Sequence, residues 1–117
     1  MTAGVLLCDD LIFASKVTAT ARAHGRVVVV VRDAGKLIER IVAERPAGLI
    51  LDLHVPGLDV KRTLADVRAL GPVRVVAFGS HVDVERLKAA RAAGCDLVLP
   101  RSAFVARLET ELPAWLS

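Results

Sequence analysis

Five short, strongly apolar runs that do not alternate with polar residues constrain this chain of 117 residues more than any other feature: Val5 to Cys8, Val27 to Val31, Leu49 to Leu51, Val73 to Phe78 and Leu97 to Leu99. Alternation would mark strands with one wet face, whereas β-branched and leucine-rich runs of this kind suit parallel strands buried on both faces. Between them, apolar residues recur three or four apart: Phe13, Val17, Ala21; Leu37, Ile38, Ile41, Val42; Val60, Leu64, Val67; Val84, Leu87, Ala90, Ala93; Val105, Leu108, Leu112. Each set forms one face of a helix. Gly25 follows the first helical stretch, Asp33 is placed to cap the second and Pro46 to end it, Gly71 with Pro72 ends the third, and Gly94 ends the fourth. The pattern predicts an α/β chain of five βα units. Right-handed crossovers then put helices on both faces of one doubly wound parallel sheet.

The length suits one continuous core, and residues 1–117 are expected to form a single domain. With 54% hydrophobic and 25% charged residues the chain is too apolar for disorder and charged enough to dissolve. No run approaches the roughly 20 apolar residues of a spanning helix, and the start lacks the marks of a signal peptide. The expectation is a cytoplasmic protein with no membrane partner. Cys8 and Cys95 lie in or beside strand-like runs and read as small core residues. The net charge of +3 is scattered along the chain, and aromatics for base stacking are nearly absent, so the residues do not favour a nucleic-acid partner.

A ligand site in such a sheet lies at the carboxyl ends of the strands. Asp9 and Asp10 end the first run and Asp52 ends the third, so neighbouring strands would bring three carboxylates to one rim. Carboxylates in close company stay ionised beside a hard divalent cation or a cationic side chain, which implies Mg²⁺ or Arg101. Asp10 is equally well placed to cap the helix that follows it. Asp52 is followed by His54, Val55, Pro56 and Gly57, which form a turn and not an immediate helix start, so capping does not account for it. Of the other conspicuous residues, His24 reads as a solvated helix end, Phe78 as core and Trp115 as terminal packing, while His81 opens a loop near the acidic rim.

These residues resemble the response-regulator receiver family over nearly the whole chain. The resemblance is carried by the acidic pair in Leu7-Cys8-Asp9-Asp10, by Leu51-Asp52-Leu53-His54-Val55-Pro56-Gly57, and by Leu99-Pro100-Arg101-Ser102-Ala103. It implies a flavodoxin-like fold with strand order 2-1-3-4-5. It also implies Asp52 as phosphoacceptor, Asp10 as a direct Mg²⁺ ligand, Asp9 as a ligand through water, and His54 as donor of a main-chain carbonyl to the metal. The phosphodonor would be a histidine kinase or a small acyl phosphate. Output would pass to an unidentified protein target, or through a homodimer formed by the fourth helix, fifth strand and fifth helix. Beyond self-phosphorylation at Asp52 the resemblance implies no enzymatic activity.

Three positions depart from the family pattern. Arg101 stands where a lysine is usual, and a guanidinium can grip Asp52 in a bidentate pair. Gly79 stands where a hydroxyl residue is usual, with Ser80 one place later. Val98 stands where an aromatic residue changes rotamer. Two readings follow: an atypical, phosphorylatable receiver, or a pseudo-receiver that acts only by binding, its acidic pocket closed by Arg101 on Asp52. A third reading, a metal-dependent phosphohydrolase using Asp52, lacks a carboxylate two residues on to move a proton.

Overall fold

The computed structural model describes residues 2–117. The elements run β1 (Gly4–Leu7), α1 (Leu11–Ala23), β2 (Val28–Val31), a 3₁₀ turn (Ala34–Lys36), α2 (Leu37–Glu44), β3 (Gly48–Asp52), α3 (Val60–Leu70), β4 (Arg74–Gly79), α4 (Val84–Ala93), β5 (Leu97–Pro100) and α5 (Arg101–Trp115). All strand pairs are parallel and the order is β2-β1-β3-β4-β5, as the resemblance implied. Gly4 is level with both Val28 and Gly48, and Asp52 is level with Phe78 at the carboxyl end.

Successive strand residues point to opposite faces, and the apolar runs fill both. One face buries Val5, Leu7, Leu49, Leu51, Val75, Ala77 and Val98 against α2, α3 and α4. The other buries Leu6, Ile50, Val76, Phe78 and Leu99 against α1 and α5. That second face holds an aromatic row in which Phe13, Phe78, Phe104 and Trp115 follow one another at centroid spacings of 4.9, 4.5 and 5.2 Å. Offset contacts at such spacings add to what burial alone contributes. Phe78 and Trp115 are therefore core residues, as expected.

Local differences from the sequence reading have physical causes. Asp33 accepts the Gly35 N–H and so caps the 3₁₀ turn, which delivers the chain into α2 without a side-chain cap of its own. α5 begins directly at Arg101, which turns Phe104, Leu108, Leu112 and Trp115 inward and leaves Val105 only partly buried. α2 likewise buries Leu37 and Ile41 and leaves Val42 exposed. Val84, expected on the inner face of α4, is exposed at that helix's first residue. Among the described residues no helix is long and apolar enough to cross a membrane.

Candidate functional site at the carboxyl rim

Asp52 is the last residue of β3 and, at 3% exposure, the one buried polar or charged residue among those described. Burying a carboxylate is costly unless its oxygens find donors. Here Oδ1 accepts the His54 N–H at 3.0 Å and Oδ2 faces the Cys8 thiol at 3.7 Å. Cys8 is fully buried just beyond β1, and its Sγ also lies 3.5 Å from the Asp10 main-chain oxygen. Burial and then the neighbouring carboxylates push its pKa up to about 11, so it remains a thiol that donates a weak hydrogen bond. The expected small core residue is therefore also a direct neighbour of the buried carboxylate.

Above Asp52 lies an open cleft of about 370 Å³ lined by Asp52, His54, Phe78, Ser80, His81, Arg101 and Ser102. His81 thus belongs to the rim. Asp9 and Asp10 sit exposed at the same end of the sheet. Asp10 does cap α1, its Oδ1 accepting the Phe13 N–H at 3.1 Å, while its Oδ2 accepts from Arg101 Nη2 at 3.1 Å. The Phe13 N–H and then the Arg101 guanidinium hold the Asp10 carboxyl below the ordinary aspartate range.

That geometry corrects the expected pair of Arg101 with Asp52. Arg101 opens α5, and its guanidinium lies 4.1 Å above the centre of the Phe13 ring while bonding Asp10. A cation held by a ring face and a carboxylate on α1 is drawn to the side of the cleft and not down onto its floor. The side chain that was to close the pocket forms one wall of it.

Gly79 ends β4 buried, and a side chain there would be closely hemmed in. A Cβ would lie 3.3 Å from His54 Nε2 and 3.4 Å from both Leu53 Cδ1 and Leu87 Cδ2. Ser80 carries its hydroxyl into the loop, where it accepts the Val82 N–H at 3.4 Å. Val98 is buried among aliphatic neighbours on the α2–α4 face. Arg86 of α4 escapes a sequence reading because its bond to the Leu53 carbonyl, at 2.8 Å, spans 33 residues.

Carboxylates and a main-chain carbonyl make a donor set suited to a hard cation, which keeps several waters and needs only one or two protein carboxylates. Among the described residues no group of three His, Cys, Asp or Glu side chains is placed to hold a metal ion, so Asp9 does not complete a side-chain trio with Asp10 and Asp52. Asp10, expected as a direct ligand, already has one of its oxygens held by Arg101.

No protein-family model matches the chain, and no curated protein matches its sequence. Solved structures do match in three dimensions. A two-component response regulator from Clostridium difficile superposes with a TM-score of 0.84 at 15% identity, over 99% of this chain and 96% of that one. The receiver domain of NtrX from Brucella abortus gives 0.81 at 20% identity, over 97% of each chain. The receiver domain of a sensor histidine kinase from Pseudomonas aeruginosa, described with a magnesium ion coordinated in its active site cleft, gives 0.80 at 21% identity over 97% of this chain and 95% of that one. At these identities the likeness is one of architecture: the chain has the flavodoxin-like fold of response-regulator receiver domains.

Proposed function

We propose that this chain is an atypical receiver module of two-component signalling, in which Asp52 accepts a phosphoryl group and a protein partner reads the result. The observation that carries this reading is the placement of the one buried carboxylate among the described residues at the floor of an open cleft, at the carboxyl end of the central strand. Asp52 is buried yet borders an open cleft of about 370 Å³, which supports a chemical role over a purely structural one. An oxygen of Asp52 attacks phosphorus as the bond to the donor, a phosphohistidine or a small acyl phosphate, breaks behind it. Positioning supplies most of the catalysis in such a transfer. Asp10, Asp52 and the His54 carbonyl, with Asp9 through a water, would hold a magnesium ion, which would supply positive charge against the phosphoryl oxygens. Arg101 and the Ser80 to Ser102 side of the cleft offer further donors to the same oxygens. Leu11 and Ile12 at the start of α1, Val82 in the loop before α4 and Val84 at that helix's first residue are all exposed at this end of the sheet, which suits contact with a protein.

A second reading, a pseudo-receiver that acts by binding alone, is favoured by Arg101 on Asp10 and by the absence of a hydroxyl at Gly79. Incubation with acetyl phosphate and Mg²⁺, followed by intact-mass measurement, separates the two. The phosphorylation reading expects one added phosphoryl group, lost in Asp52→Asn; an unmodified wild-type chain would establish the binding module instead.

A further inference from the structure

We propose that the imidazole of His54 couples Asp52 to the loop that leads into α4, a task its main-chain carbonyl does not perform. Two hydrogen bonds run in series through this one residue. Its N–H donates to Asp52 Oδ1 at 3.0 Å, and its Nε2 accepts the Ser80 N–H at 2.8 Å. Accepting at Nε2 fixes the ring as the neutral tautomer with its proton on Nδ1. The buried carboxylate and the first residue after β4 are therefore linked through a single residue, its main-chain N–H engaged on one side and its imidazole on the other.

Gly79 belongs to the same device. A Cβ there would lie 3.3 Å from the ring nitrogen, so the strand end leaves bare the space into which the imidazole reaches. The missing hydroxyl at Gly79 and the histidine at His54 thus form one exchange: the group that grips the loop comes from β3's turn and not from the end of β4. A second strut runs parallel to it. Arg86 donates from Nη1 to the Leu53 carbonyl at 2.8 Å and from Nε to Asp83 Oδ2 at 2.9 Å, fastening the first turn of α4 beside Asp52. Any change in what Asp52 Oδ1 offers to the His54 N–H shifts the turn that carries the ring, and the ring carries Ser80. The consequence for signalling rests on Asp52 being the phosphoacceptor; the coupling itself does not.

Amide NMR tests it without a phosphodonor. In the unsubstituted, ¹⁵N-labelled protein a scalar coupling across the N–H···N bond is expected between Ser80 N and His54 Nε2. Asp52→Asn is expected to shift the amides of Ser80 to Arg86, to leave them unshifted when made in a His54→Ala background, and to shift them again in His54→Gln, whose side-chain oxygen reaches the same place. Ser80 amide exchange should quicken roughly fivefold in His54→Ala, as loss of one net hydrogen bond requires. Absence of the trans-bond coupling, or equal shifts with and without the imidazole, would overturn the proposal. A failure of acetyl phosphate to label Asp52 would remove the proposed function and leave this result standing.

Discussion

The two ends of the sheet are made from the same strands and solve opposite problems. At the amino end Gly4 and Gly48, level with each other on β1 and β3, lie under the last turn of α5. A Cβ on Gly48 would overlap the Trp115 carbonyl, and one on Gly4 would overlap Leu116. The polar groups there are tied off: Arg68 reaches the Val73 carbonyl, the Gly94 carbonyl at 2.9 Å and Asp96 at 2.9 Å, and Asp96 accepts the Val75 N–H at 2.7 Å. At the carboxyl end the strands finish in loops that leave a cleft, with a buried carboxylate below and the exposed Arg101–Asp10 pair at its lip. Close approach and mutual satisfaction make one end structural; unmatched space makes the other available for chemistry.

Substitution tests this contrast most severely at the amino end. Gly48→Val inserts a branched side chain against main-chain atoms of α5, and overpacking of this kind costs about 3 kcal/mol. A urea titration should show the midpoint falling by a correspondingly large margin, and an unchanged midpoint would mean that α5 does not seal this end.

Next in size is the Arg68 and Asp96 pair. Burial pulls the Asp96 carboxyl upward, but the Val75 N–H and the Arg68 guanidinium outweigh it and leave the group below its ordinary value. A carboxyl lowered in the folded state contributes stability above its unfolded pKa of about 3.9, and loses that contribution as the pH falls through the lower folded value. Both side chains are more than a third exposed, so solvent screening limits the effect to about 1 kcal/mol. Asp96→Asn should flatten the loss of stability between neutral pH and pH 3, as followed by thermal unfolding; an unaltered pH profile would assign the acid sensitivity elsewhere.

At the carboxyl end the corresponding change should scarcely register in stability. Arg101→Ala removes an exposed ion pair and is expected to leave the unfolding midpoint almost unmoved. Its effect belongs to the cleft: freed from the guanidinium, Asp10 should bind Mg²⁺ several-fold more tightly in a calorimetric titration. A large loss of stability without tighter Mg²⁺ binding would make Arg101 a structural residue and weaken the contrast between the two ends.

The fold was legible because burial on both faces leaves a direct mark in composition. Unbroken runs such as Leu49 to Leu51 report parallel strands, and the helical faces follow from residues three and four apart. Errors fell within helices, as where a shift of one residue turns Phe104 inward in place of Val105 and where α2 leaves Val42 exposed. The candidate site was legible in part. Asp52 and the rim position of Asp10 could be read from where the runs end, but the partner of Arg101 could not, because the choice between Asp10 and Asp52 depends on the Phe13 ring face and the direction in which α5 departs.

The sequence by itself determined the five βα units, the doubly wound sheet and the presence of carboxylates at its carboxyl end, since these follow from local periodicity and from which residues end each apolar run. Only the tertiary structure decided which charges and donors meet there: Arg101 on Asp10, Cys8 against Asp52, and the His54 ring in the space that Gly79 leaves open. Those contacts join residues 25 to 91 positions apart, and at such separations the angles at which the elements pack, and not the local sequence, set the geometry.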